Sequence, residues 1–100
     1  MKLDFNREKL GRFCVEHGIA RLELFGSALR DDFRSDSDVD LLATLRDDAH
    51  PTLLDWADMQ EQLAKVFSRP VDLVSRRAIE ASPNALRRSA ILGSAVKVYG

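Results

Sequence analysis

Two aspartates separated by one residue, Asp38 and Asp40, lead into a mostly apolar run, Val39 to Ala43, while a glycine–serine step, Gly26-Ser27, follows a short alternating run, Leu22 to Phe25. If Asp38 and Asp40 lie on a strand, their side chains share one face, with Cα atoms about 7 Å apart. Two carboxylates placed that way repel each other unless a cation sits between them. Hard oxygen donors favour magnesium or manganese, which keep waters or substrate phosphates as their remaining ligands. Asp72, set within Val71 to Val74, is the natural third carboxylate and meets the first two if its strand adjoins theirs. Three aspartates can hold two metals about 3.5–4 Å apart, the arrangement that clamps an in-line phosphoryl or nucleotidyl displacement. Asp72 is also placed to accept the proton of an attacking hydroxyl.

Gly26 has no β-carbon, so the chain can turn sharply there and a ligand can approach the main chain. A helical turn opening at Ser27 would leave amide N–H groups free for phosphate oxygens, with the serine hydroxyl as a further donor. Taken alone, a glycine–serine step is more often a plain turn, and an acidic run is more often a solvated loop. The second reading suits Asp31, Asp32 and Asp36; it explains Asp40 and Asp72 poorly, because each interrupts apolar sequence. A calcium loop fits the spacing of Asp36, Asp38 and Asp40. It fails at the sixth place, Leu41 where glycine is needed, and at the twelfth, Asp47 where a bidentate glutamate is needed.

These residues have to be carried by elements that the hydropathy pattern outlines. Leu10, Phe13 and Cys14 fall at helical spacing between Arg7 and His17, with Gly18 as the stop. Leu22–Phe25 reads as a strand that turns into a short helical segment, and Val39–Ala43 as a second strand. A longer helix begins near Pro51, with Leu53, Trp56, Leu63 and Phe67 as its apolar face, and Ser68-Arg69-Pro70 closes it. Val71–Val74 is a third strand and Ala95–Tyr99 a fourth. Between them Ala78 to Leu92 is weakly helical, broken at Ser82-Pro83. The pattern predicts an α/β (α+β) fold over one domain, residues 1–100: a small mixed sheet of about four strands flanked by helices.

Composition supports an ordinary globular chain: 45% hydrophobic, 31% charged and a net charge of -1 give no whole-molecule case for binding nucleic acid or membrane surfaces. Cys14 is the one cysteine, expected as a buried, inert thiol. The first residues lack the apolar run of a signal peptide, and no stretch reaches the roughly 18 apolar residues of a membrane span. The expected setting is the cytoplasm. Arg30 has two readings, reaching a phosphate or pairing with the acids that follow it. Arg87 and Arg88 read as a solvated basic face, His17 as a favourable charge at a helix C-terminus, His50 as a loop residue, and Trp56 as packing rather than base stacking.

Taken together, Gly26-Ser27, a spacer, Ser37-Asp38-Val39-Asp40-Leu41-Leu42 and the later Val71-Asp72-Leu73-Val74 resemble the minimal nucleotidyltransferase family of the polymerase-beta-type superfamily. The resemblance spans nearly the whole chain and implies a nucleotidyltransferase-like fold. It carries the family's glycine–serine pair onto Gly26 and Ser27, its paired metal-binding aspartates onto Asp38 and Asp40, and its third aspartate onto Asp72. Family members often have glycine after the arginine that corresponds to Arg30; this chain has Asp31. The resemblance further implies dependence on magnesium or manganese, ATP as substrate, and kinship with the antitoxins of HEPN/MNT pairs. Those antitoxins transfer AMP to a tyrosine of a HEPN ribonuclease toxin, so a HEPN-type toxin is the expected partner in a hetero-oligomer. Two other functions remain in view: a non-catalytic antitoxin or scaffold that masks its partner, and transfer to a small molecule in a pocket completed by a partner subunit.

Overall fold

The computed structural model describes residues 4–29 and 38–100. Helix α1 covers Arg7–His17. The Asn6 side chain accepts the Lys9 N–H at 3.0 Å to cap it, and Gly18 ends it in the left-handed region at φ 71°. Strand β1, Ile19–Phe25, runs into a single 3-10 turn, Gly26–Leu29. Strand β2 is Val39–Leu45 and helix α2 is Leu53–Phe67. A reciprocal cap opens α2: the Thr52 hydroxyl accepts the Asp55 N–H at 3.1 Å, and the Asp55 carboxylate accepts the Thr52 N–H at 2.9 Å. Ser68 closes it with a positive φ of 55°. Strand β3, Val71–Ser75, leads directly into helix α3, Arg76–Glu80. Helix α4, Ala85–Ser94, starts from an Asn84 cap, and strand β4, Val96–Tyr99, follows.

The strands form one mixed sheet in the order β3-β2-β1-β4. β1 pairs antiparallel with both β2 and β4, whereas β2 and β3 are parallel, joined by the α2 crossover. Alternation along the strands sorts side chains onto two faces. Leu22, Leu24, Val39, Leu41, Ala43, Val71 and Leu73 are buried with Leu10, Phe13 and Cys14 of α1 and Met59, Leu63 and Phe67 of α2. Phe25 and Leu42 face the other way, against Ile79 of α3 and Ile91 of α4. The four-stranded α/β sheet flanked by helices is thus the one the sequence pattern predicts.

Two details differ from that expectation. Leu53 does not join the apolar face of α2: it is 91% exposed, and Met59 takes the buried place. Leu53 is the first helical residue after the cap, so it projects beyond the sheet, while Met59, Leu63 and Phe67 recur on the side turned towards it. The late helical stretch breaks between α3 and α4 at Ser82-Pro83, as expected. It starts earlier than its apolar spacing suggested, because Ser75 caps Ala78 as soon as β3 ends.

Candidate active site

Asp38 stands immediately before β2, Asp40 is its second residue, and Asp72 is the second residue of β3. Asp40 and Asp72 are register partners across the parallel pair, so their side chains leave the sheet on the same face, on strands about 4.8 Å apart. Asp38 shares that face by its two-residue spacing. Asp40 is half-buried; Asp38 and Asp72 are exposed. Phe25 lies opposite Asp40 on the antiparallel side, which brings the end of β1 and its glycine to the same end of the sheet.

The closest approach is at Gly26. Its φ of 71° disfavours any residue with a β-carbon, and a β-carbon there would overlap an oxygen of the Asp40 carboxylate and sit 3.3 Å from Asp40 Cγ. The tight turn expected of the glycine–serine step is therefore present, with Ser27 second in the 3-10 segment, and it is built against the Asp40 carboxylate. Arg30 lies outside the described residues, as do Asp31, Asp32 and Asp36.

The donor set suits a hard divalent cation: each of the three side chains offers carboxylate oxygen and none offers sulfur or nitrogen. Among the described residues, no group of three such side chains is already drawn tightly around one point. The backbone register puts the three on one face at one end of the sheet without drawing them into a preformed cage.

Further along the same face lies a polar layer that the sequence pattern did not single out. Glu23, two residues before Phe25, is buried, and one of its oxygens accepts from Arg76 Nη1 at 2.6 Å. Arg21 Nε approaches that oxygen at 3.3 Å, and Arg76 Nε lies 3.6 Å from Glu80. Arg76 thereby ties α3 across the sheet to β1. The signal was available, since Glu23 interrupts apolar sequence as Asp40 and Asp72 do; its partner, 53 residues away, was not visible.

The remaining sequence readings fall as follows. Trp56 is packing, with its indole N–H donated to the Leu73 carbonyl at 2.9 Å. His17 stacks on Phe13 with ring centroids 4.4 Å apart, and His50 is exposed in a loop. The Arg87 side chain is exposed, and the Arg88 guanidinium donates to the Ser82 carbonyl. The Tyr99 ring packs near Gly11 of α1. Cys14 is fully buried, and burial pushes its thiol up to about 12. A cleft of about 510 Å³, lined in part by Thr44, Arg46, Arg76 and Arg77, lies at the opposite end of β2 and β3 from the aspartates.

Comparison with known proteins bears directly on this arrangement. Residues 7–98 match the nucleotidyltransferase domain family. The chain belongs to that family. A protein of Methanocaldococcus jannaschii, MJ0435, provisionally named a protein adenylyltransferase, is 28% identical over 98% of this chain and 99% of its own length. A solved structure provisionally named a minimal nucleotidyltransferase is 36% identical, with a TM-score of 0.67 over 90% of this chain and 86% of the other. The same nucleotidyltransferase fold recurs in a complex of a tri-AMPylated HEPN toxin from Shewanella oneidensis with its MNT antitoxin. That match has a TM-score of 0.63 at 18% identity, over 94% of this chain and 69% of the other. The residues matched to the family take in α1 and all but the end of β4, so Gly26, Asp38, Asp40 and Asp72 all fall inside the nucleotidyltransferase domain. No helix among the described residues is long and apolar enough to cross a membrane.

Proposed function

We propose that this nucleotidyltransferase, acting as one domain over residues 1–100, transfers AMP from ATP to a tyrosine hydroxyl of a HEPN-type toxin in the cytoplasm. The observation that carries the reading is the register Asp40 opposite Asp72 with Gly26 pressed against Asp40. The similarity to protein adenylyltransferases and to the fold of an antitoxin bound to an AMPylated toxin supports the choice of nucleotide and acceptor.

In this reading Asp38, Asp40 and Asp72 hold magnesium, or manganese in its place. The bound metal supplies charge neutralisation for the triphosphate and lowers the pKa of the attacking hydroxyl. Gly26 admits the triphosphate to the main chain, and the amides of the turn that Ser27 shares orient it, with Arg30 as a further phosphate contact. The acceptor oxygen forms a bond to the α-phosphorus as the bond from that phosphorus to the bridging oxygen of pyrophosphate breaks. Pyrophosphate leaves, and Asp72, which is exposed, takes the hydroxyl proton and returns it to water.

The test is incubation of the pure protein with ATP, Mg²⁺ and its cognate toxin, followed by intact-mass measurement of the toxin. A toxin that binds the protein yet gains no AMP contradicts the proposal. The double variant Asp38→Asn/Asp40→Asn is expected to bind the toxin and transfer nothing. If that variant neutralises the toxin as well as the wild type does at equal concentration, the protein works by masking instead.

A further inference from the structure

Among the described residues β3 is an edge strand, with β2 on one side, and it is only five residues long. A one-residue slip of such a strand would turn Asp72 to the opposite face of the sheet, and a two-residue slip would carry it about 7 Å along. What holds its register on the outer side is α2. The Leu73 N–H donates to Gln60 Oε1 at 2.8 Å, and the Leu73 carbonyl accepts from Trp56 Nε1 at 2.9 Å. Trp56 and Gln60 are four residues apart on one helix, so they stand one turn above the other and take both outward-facing groups of a single residue.

The N–H that Gln60 accepts belongs to the peptide unit joining Asp72 to Leu73. The other edge of the strand is paired with β2 in the register that sets Asp72 opposite Asp40. The backbone carrying the third carboxylate is therefore gripped from both sides. Helix α2 is itself seated on the sheet by Met59, Leu63 and Phe67, so the grip refers the position of Asp72 to the main core.

We infer that Trp56 and Gln60 are positioning residues for Asp72: their paired hydrogen bonds to Leu73 select the strand register in which the third carboxylate joins the other two. This inference rests on the proposed role of Asp72 in metal binding. It goes beyond packing, because a two-residue slip of β3 would keep its alternation of buried and exposed side chains, whereas the two directed hydrogen bonds to Leu73 fit one register.

The experiment compares wild type with Gln60→Met, Gln60→Glu and Trp56→Phe, and with Gln62→Met as a control on the exposed side of α2, where Gln62 bonds Asp58. Gln60→Glu keeps the acceptor and Trp56→Phe keeps the ring. Mn²⁺ binding is read by electron paramagnetic resonance, exchange of the Leu73 amide by NMR, and transfer by kcat and KM for ATP. Gln60→Met is expected to weaken Mn²⁺ binding about tenfold, the usual effect of losing an outer support of a metal ligand. It should speed Leu73 exchange and lower kcat about tenfold, with KM for ATP within about twofold. Trp56→Phe should act in the same direction, Gln60→Glu should recover most of the loss, and Gln62→Met should match wild type.

Unchanged Mn²⁺ affinity and kcat in Gln60→Met and Trp56→Phe overturn the inference. So does an equal loss in Gln60→Met and Gln60→Glu that tracks a fall in Tm, which would mark a purely structural contact. Should Gln60→Met fail to fold, Trp56→Phe and Gln60→Glu carry the same comparison. The Mn²⁺ and exchange measurements need no acceptor. A wild type that binds Mn²⁺ but transfers AMP to nothing therefore refutes the proposed function alone, while one that binds no Mn²⁺ refutes this inference as well.

Discussion

Replacing Gly26 by alanine tests the link between the turn and the carboxylate site more sharply than removing an aspartate. The new methyl group meets two separate penalties. Holding alanine at φ 71° costs about 1–2 kcal/mol relative to glycine, which in a domain of this size lowers Tm by roughly 4–8 °C per kcal/mol. The second penalty falls on the site: the methyl overlaps the Asp40 carboxylate, so Asp40 must swing away or the turn must back off. A displacement of about 1 Å at a reacting centre costs roughly 100-fold in rate, or about 2.7 kcal/mol of barrier. Under the proposed function, the variant is therefore expected to stay folded, lose roughly 4–16 °C of Tm, and lose about two orders of magnitude in transfer. Thermal unfolding and a quantitative intact-mass time course of the AMPylated toxin measure the two effects side by side. Gly26→Ala that loses stability but transfers AMP within about threefold of wild type would refute the reasoning, because the turn and Asp40 would then not share a site.

Three further outcomes follow from the packing. Leu63→Ala, at a fully buried position of α2, is expected to cost about 2–5 kcal/mol in urea unfolding, whereas Leu53→Ala should fall within about 0.5 kcal/mol of wild type. Arg76→Leu leaves Glu23 buried with only the longer Arg21 contact, and should cost about 2–3 kcal/mol; Arg76→Lys should recover part of that. The Cys14 thiol ionises near its ordinary value of 9 when unfolded but only at about 12 when folded, so its contribution is intact below pH 9 and is lost as pH rises towards 12. Native protein should resist thiol reagents at pH 8, and Cys14→Ala should remove up to about 1.4 kcal/mol per pH unit of alkaline destabilisation, measured by urea midpoints from pH 8 to 11.

Much of the architecture can be read from residue order because its causes are local. The 3.6-residue spacing of Leu10, Phe13 and Cys14, the stop at Gly18 and the apolar runs at Leu22, Val39 and Val71 each act within a few residues, and each appears where expected. The aspartates stood out for the same reason, as charges interrupting apolar runs. Leu53 misled because helical spacing alone does not say where a helix end overhangs its sheet. The late helices began earlier than expected because the cap at Ser75 depends on where β3 stops, not on apolar periodicity.

What the sequence by itself determined is the set of parts: a glycine at a strand end, two carboxylates on one face of a strand, and a third on a later strand. Only the tertiary structure decided that they stand at one end of one sheet. Strand order and register arise from contacts between distant segments, which no local pattern encodes, and here they set Asp40 between Asp72 on β3 and the end of β1. The same holds for Glu23 with Arg76 and for the grip of Trp56 and Gln60 on Leu73. In the last case the partner is a backbone group, which every residue possesses, so no choice of side chain along the sequence could announce it.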